Sequence, residues 1–368
     1  MKALVVESPR HAVFKDIPTP VPQGHEVLAK VVRAGICGTD NAIYTGDCSF
    51  VRDGLIKYPV RFGHEWSGVV EAVGSEVTDF KKGDRIVSDN GVSCGKCPAC
   101  LEKRYGDCPH NRAVGTVNCW DGCFAEYFLI PDYHVYHLED SITLDQAALI
   151  EPMSIAYDGF RDVALNADST VAVIGTGPIG MTAVALAKHY GAGKIIMVGR
   201  RDSKLAVASQ VGATDLVNNT QTDAVQAVME ITGGQGADLV LETAGTESCL
   251  RDAIRMAKKS GQISVIAFYE KEVGNLPIDR LVLDCVRLQG AAGHFGNIEA
   301  CKNIMAWRIS FLDSICSEIA WAIFSLIPFT SARRSGSSSM MRKVSALNRR
   351  TMRAANAVPT PRIAPDPR

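Results

Sequence analysis

Four cysteines, Cys94, Cys97, Cys100 and Cys108, crowd one short stretch of the chain. Thiolates select zinc or iron–sulfur over hard cations, and four of them complete a tetrahedral shell with no position left for substrate. The pattern therefore predicts a structural metal site. A cubane iron–sulfur cluster is the rival reading, because its motif also begins C-x-x-C-x-x-C; that motif sets the fourth cysteine three residues further on and follows it with proline. Cys108-Pro109 supplies the proline but stands later in the chain. Disulfides or unliganded thiols are a third reading.

A second group of donors is dispersed: Cys37-Gly38-Thr39-Asp40, Gly63-His64-Glu65 and Glu151-Pro152. Cysteine, histidine and one or two carboxylates can hold zinc while leaving a place for water or an alcohol oxygen, the open arrangement of a catalytic site. Singly, each has an ordinary reading: a lone Cys37 is a small buried apolar residue, and a lone His64 is a satisfied core side chain. Together they point to metal chemistry.

A third signal is Gly175-Thr176-Gly177-Pro178-Ile179-Gly180, which follows an apolar strand and opens an apolar helix. In that context the first glycine permits a tight turn, the second lets the backbone approach a pyrophosphate, and the third allows close helix–strand packing. The helix N-terminus then offers free N–H groups to the phosphates. An NAD site places Asp or Glu at the end of the next strand to bind the ribose hydroxyls. Here that position is Gly199, followed by Arg200 and Arg201. Glycine removes repulsion of a 2′-phosphate and two guanidiniums can bind one, so NADP is favoured over NAD. The competing reading is a solvated arginine pair with NAD held by other contacts.

These residues need elements to position them. Runs such as Lys2–Val6, Val27–Arg33, Ser67–Val73, Asp84–Val87 and Phe124–Ile130, separated by Gly, Pro and Asp turns, predict a β-rich, barrel-like first part. From Thr170 strands alternate with helices: strands 170–174, 194–198, 239–242 and 262–266, and helices 179–190, 203–211, 223–231 and 248–257. That alternation predicts a doubly wound parallel sheet. The fold class is thus α/β with a β-rich domain, joined through a helical stretch from Thr143 to Leu165. The expected division is 1–155 for the β-rich domain, 156–294 for the dinucleotide domain, 295–330 for an atypical closure and 331–368 for a disordered tail.

The 368 residues are 46% hydrophobic and 21% charged with a formal net charge of −1, enough for two cored domains and giving no general attraction to nucleic acid or membrane. The N-terminus reads as an amphipathic strand in place of a signal peptide, so a reducing, cytoplasmic compartment is expected. No apolar run approaches the length of a membrane span. From Trp307 onward there are ten basic and three acidic residues, against 29 and 37 in the remainder. The segment is rich in Ser and Arg and ends in Pro-rich text, and beyond about Ser331 such composition cannot bury enough apolar surface to order itself.

On these motifs, in this order, the sequence resembles the medium-chain, zinc-dependent alcohol and polyol dehydrogenases from Met1 to about Ala306. The resemblance implies a GroES-like catalytic domain joined to a Rossmann domain, with the active site in the cleft between them. It implies Cys37, His64 and Glu65 as ligands of a catalytic zinc, Glu151 as a further carboxylate ligand, direct or through water, and the four-cysteine lobe as a structural zinc site. Thr39 would relay the substrate proton and Asp40 would orient His64. Glu151, where classical alcohol dehydrogenases carry cysteine, points to the sorbitol, threonine and sugar dehydrogenase branch. The implied reaction moves a hydride between a secondary alcohol of a polyol, sugar or cyclitol and NAD(P), the zinc lowering the pKa of the hydroxyl so that an alkoxide can form.

L-Threonine is the alternative substrate, made less favourable by Ala42 and by Asp89-Asn90-Gly91, where threonine dehydrogenases carry histidines. Sorbitol dehydrogenases also carry histidine at the position of Ala42. A homodimer or homotetramer is implied, with no nucleic-acid or membrane partner. The family's closing helix, strand and Gly-Lys-Val ending are not found after Ala306, and the text there resembles a shifted reading frame. A non-catalytic NADP-binding relative is therefore the alternative function.

Overall fold

The amphipathic N-terminal run forms β1 (Lys2–Ser8), paired antiparallel with β2 (His11–Asp16). The computed structural model describes residues 1–293, 295–307 and 324–325. The expected tail, 331–368, and most of the expected closure, 295–330, lie outside the described residues.

After β2 come β3 (Glu26–Ala34), α1 (Gly38–Thr45), the single turn α2 (Ser49–Arg52), β4 (Val60–Arg61), β5 (Trp66–Val73) and β6 (Arg85–Ser88). The short β7 (Gly91–Val92), α3 (Pro98–Leu101) and β8 (Arg112–Ala113) carry the cysteine lobe, and β9 (Tyr127–Pro131) and β10 (Val135–His137) close the domain. The central antiparallel sheet runs β10-β6-β5-β3, with β9 also on β3. Its inward side chains, including Val27, Ala29, Trp66, Ile86, Phe128 and Ile130, are buried in one cluster. Trp66 and Phe128 meet edge to face at 4.8 Å. The two-residue strand Phe324–Ser325 pairs antiparallel with the end of β3.

The helical stretch expected from Thr143 to Leu165 is broken. It forms α4 (Leu144–Ala147) and α5 (Ile150–Asp158). Thr143 and Gln146 close a capping box on α4, each side chain accepting from or reaching back to the other's backbone. Ile150 and Met153 on α5 are fully buried against the second domain's core, each worth roughly 1.5–3 kcal/mol of transfer free energy. The helix α5 spans the residue at which the expected boundary falls.

The second domain contains β11 (Thr170–Ile174), α6 (Pro178–His189), β12 (Lys194–Gly199), α7 (Asp202–Val211), β13 (Asp215–Asn218), α8 (Ala224–Ile231), β14 (Ala237–Glu242), α9 (Glu247–Met256), β15 (Ala257–Val265), α10 (Ile278–Leu283), β16 (Arg287–Gly290) and α11 (Asn297–Trp307). All six strands are parallel, in the order β13-β12-β11-β14-β15-β16. The central strands β11, β12 and β14 are continuous apolar runs because helices cover both faces. The strand order reverses between β11 and β14, the position at which such sheets bind ligands beyond their carboxyl ends.

Among the strands that the sequence reading did not name, β2, β13 and β16 share one reason. His11–Asp16 mixes charges among its apolar residues, Asp215–Asn218 is only four residues long, and Arg287–Gly290 has a single apolar side chain. Each of these is an edge strand of its sheet, where one-sided burial leaves little hydrophobic pattern.

Candidate functional site

The dispersed donors converge. Cys37 ends the segment after β3 and caps α1, and its own backbone N–H donates to Asp40 Oδ2 at 2.9 Å. His64 and Glu65 lie between β4 and β5, where Gly35 N–H donates to Glu65 O at 2.7 Å and so pins this segment to the end of β3. Gly63 makes the turn possible: its φ is +93°, and the Phe124 ring lies 2.6 Å from where a Cβ would stand. Ligand atoms of Cys37, His64 and Glu65 all lie within 4.8 Å of one another.

Asp40 is wholly buried, and its Oδ1 lies 3.5 Å from His64 Nδ1. Neither atom has a closer hydrogen-bond partner. The carboxylate therefore faces one ring nitrogen and leaves Nε2 as the donor for an ion, the usual way a ligating imidazole is oriented. Thr39 stands half-buried in the first turn of α1, between Cys37 and Asp40. Glu151, in the first turn of α5, is buried and falls outside the mutually close trio; its Oε1 accepts Asn90 Nδ2 at 3.2 Å.

Charge explains why these groups fit a cation. Burial pushes the Cys37 thiol up, and burial together with the Glu151 carboxylate pushes Glu65 up to about 8. Burial also raises Glu151. For His64, burial acts downward, but the charges of Asp40 and Cys37 outweigh it and hold the imidazole well above its ordinary value. Several acidic groups thus share one low-dielectric spot with a soft sulfur and an imidazole. A divalent ion among them would offset that repulsion, and sulfur, nitrogen and oxygen donors together suit zinc.

The four-thiol lobe also closes on a point. Ligand atoms of Cys94, Cys97, Cys100 and Cys108 lie within 4.8 Å of one another, with Cys97 and Cys100 sulfurs 3.4 Å apart and Cys94 and Cys100 sulfurs 3.9 Å apart. Four sulfurs at about 2.3 Å from one tetrahedral ion would be about 3.8 Å apart. The spacing suits a single ion, whereas a cubane cluster would hold its thiols further apart. Backbone N–H groups, that of Lys96 foremost, bring the Cys94 thiol down to about 6, toward the thiolate a metal requires.

In the dinucleotide domain, Gly175 follows β11 and Gly177 caps α6, with Pro178 in its first turn. Gly177 and Pro178 are exposed and Ile179 is half-buried. A Cβ on Gly180 would stand 1.8 Å from Gly175 O, so only glycine lets the helix pack against the turn. Thr243, just after β14, donates its hydroxyl to Ile174 O at 2.9 Å and braces that turn from the neighbouring strand. Gly199 ends β12, and a side chain there would collide with the Thr176 methyl at 2.3 Å. Arg200 and Arg201 follow, both exposed. The next acid, Asp202, is engaged by Asn218 at 2.5 Å and Gln221 at 3.3 Å.

Two contributors were not found in the sequence. Asn90 carried no motif, and only its contact with Glu151 reveals it. Thr243 could have been suspected from its place at the carboxyl end of an apolar strand.

Sheet topology and donor geometry define a metal-dependent dinucleotide oxidoreductase, and comparison with known proteins agrees. Residues 23–140 match the alcohol dehydrogenase GroES-like domain and residues 178–309 match the zinc-binding dehydrogenase domain. The chain is 37% identical to a sorbitol dehydrogenase of Bacillus subtilis (strain 168) over 266 residues, 72% of this chain and 74% of that protein. It is 36% identical to an L-threonine 3-dehydrogenase of Bacillus licheniformis over 309 residues, 84% of this chain and 86% of that one. A protein of Sinorhizobium meliloti 1021 described as a zinc-binding dehydrogenase, bound to NADP, superposes with a TM-score of 0.75 at 31% identity, covering 83% of this chain and 88% of the other. The chain belongs to the medium-chain, zinc-dependent alcohol and polyol dehydrogenase family. It is an NAD(P)-dependent enzyme acting on CH–OH groups. No helix among the described residues is long and apolar enough to cross a membrane.

Proposed function

We propose that this enzyme oxidises a secondary hydroxyl of a polyol, sugar or cyclitol, with NADP as the preferred acceptor. The observation that carries the reading is the Cys37, His64 and Glu65 donor set, closed to within 4.8 Å in a chain that also has the dinucleotide turn. In this reading Cys37, His64, Glu65 and Glu151 hold a catalytic zinc, and Cys94, Cys97, Cys100 and Cys108 hold a second, structural one. When bound, the metal supplies Lewis acidity that lowers the pKa of the substrate hydroxyl, and the dinucleotide accepts the hydride.

The chain's own residues do the rest. Thr39 accepts the hydroxyl proton and passes it toward solvent. Asp40 keeps the His64 ring turned so that Nε2 faces the ion, and Asn90 keeps the Glu151 carboxylate in place. Gly175, Gly177, Pro178, Ile179 and Gly180 present the N-terminus of α6 to the pyrophosphate. Gly199 leaves the 2′-position unopposed, and Arg200 and Arg201 pair with a 2′-phosphate; the engagement of Asp202 by Asn218 and Gln221 supports this choice.

The reading divides the chain into a catalytic domain, 1–155, and a dinucleotide domain, 156–294, with the reaction in the cleft between them. It includes assembly into a dimer or tetramer, supported by the exposed apolar residues Ile278, Val282 and Leu283 on α10. The test is reduction of NADP⁺ and, in parallel, NAD⁺ against a panel of polyols, sugars, cyclitols, L-threonine and simple alcohols. A polyol or sugar with NADP⁺ should give the highest kcat/KM. Threonine as the best substrate, or NAD⁺ as the better acceptor, contradicts the corresponding half of the proposal.

A further inference from the structure

The turn Asp132–His134 grips the chain where it enters the four-thiol lobe. His134 is wholly buried; its Nε2 accepts the Ser93 backbone N–H at 3.0 Å, and the Ser93 hydroxyl lies 2.9 Å away. Because Nε2 accepts a peptide N–H, the neutral ring carries its proton on Nδ1. That nitrogen faces Asp89 Oδ2 at 3.5 Å, and the Tyr136 hydroxyl donates to the same oxygen at 2.9 Å. Asp89 N–H in turn donates to His134 O at 2.9 Å.

Serine, histidine and aspartate in this order invite comparison with a nucleophilic triad. Burial decides against it: Ser93, His134 and Asp89 are 3%, 0% and 4% exposed, so no substrate reaches the hydroxyl. The peptide N–H at Nε2 also competes with the serine for the ring's lone pair. The arrangement is a clamp.

The far end of the segment Asp89–Ser93 is held by the ring's Nε2 and the near end by the His134 backbone carbonyl, with the ring's other nitrogen 3.5 Å from the Asp89 carboxylate, and both ends matter. At the far end, Tyr133 OH donates to Ser93 O at 3.2 Å, while the N–H of the same peptide unit, from Cys94, points at Cys108 Sγ at 3.4 Å. At the near end, Asp89 precedes Asn90, whose amide holds Glu151. We propose that His134, with Tyr133 beside it, is a positioning residue that orients the Ser93–Cys94 peptide toward the Cys108 sulfur and, through Asp89, sets Asn90 against Glu151. It couples the two metal-type sites mechanically without touching substrate. Groups that orient ligands are worth about 10–100-fold in metal affinity. The inference rests on the reading of the lobe and of Glu151 as metal-holding.

The experiment follows zinc release to a chromogenic chelator from the purified full chain, alongside kcat, cofactor KM and NADPH affinity. Parental protein should release two ions in separable phases. H134L should release the lobe ion about tenfold or more faster and lower kcat about threefold or more, with NADPH affinity unchanged because no clamp residue belongs to the dinucleotide turn or to α6. H134Q, whose amide oxygen can accept the Ser93 N–H, should restore slow release. Y133F should speed the lobe phase alone. H134L or Y133F releasing the lobe ion at the parental rate overturns the clamp, and Y133F decides alone if H134L does not fold. A parental protein with no zinc in the lobe instead refutes the lobe reading, and the clamp falls with it.

Discussion

Glu270 lies on the dinucleotide domain, in the loop after β15, yet its carboxylate Oε2 accepts the Ser49 backbone N–H at 2.5 Å, at the start of α2 in the other domain. Arg52 donates to Glu270 O at 2.6 Å and approaches its carboxylate at 3.7 Å, and Phe50 meets Phe268 edge to face at 5.1 Å. The substitution E270A removes the carboxylate and leaves the Arg52 bond to the backbone carbonyl. A hydrogen bond from a backbone N–H to a charged group is worth about 1.5–3 kcal/mol. The long ion pair, with the Arg52 side chain half exposed, adds under about 1 kcal/mol. Alanine is the right replacement because Glu270 has φ +58°, and glycine would relieve that left-handed backbone and mask the loss.

The expected cost, about 2 kcal/mol, corresponds to about thirtyfold faster hydrogen exchange at the Ser49 amide, since about 1.4 kcal/mol is tenfold. Exchange read by mass spectrometry on a peptide spanning 48–53 measures it directly. E270Q keeps an acceptor without the charge and should fall between parent and E270A. Exchange in E270A within threefold of the parental rate would refute the claim that this carboxylate ties the two domains together.

Two further outcomes are expected. Gly63→Ala places a side chain at φ +93° against the Phe124 ring, costing about 1–2 kcal/mol for the backbone and about 1–3 kcal/mol for overpacking; urea unfolding should report that loss and metal analysis a lower zinc content. His25 forms a hydrogen bond with Asp132 that, with the Asp132 and Glu76 charges, raises its pKa above the usual 6.5. Its contribution to stability is therefore present below about 6.5 and lost as pH rises through the raised value. An NMR titration should find it raised in the parent and lowered in D132N; no difference between the two would contradict the assignment.

The sequence was most legible where spacing is dictated by chemistry. The cysteine lobe and the turn from Gly175 to Gly180 can be read without a structure because ligand shells and pyrophosphates impose fixed residue intervals. Cys37, His64 and Glu65 were readable only as fragments, since β4, β5 and the turn at Gly63 must fold before they meet. Asn90, Thr243 and the His134 clamp were not legible. Each acts through one or two hydrogen bonds to residues distant in sequence, and no periodicity records such contacts. The edge strands β13 and β16 failed for the opposite reason, having too few apolar residues to declare a face.

The central claim is that Cys37 and His64 share one ion beside the dinucleotide cleft. Zinc content of the purified parent and of C37S, measured together with alcohol-dependent NADP⁺ reduction, tests it most directly. About two zinc per chain in the parent, about one in C37S, and loss of turnover with NADPH binding retained are predicted. Equal zinc content in the two proteins, or a C37S variant that turns over at the parental rate, would contradict it.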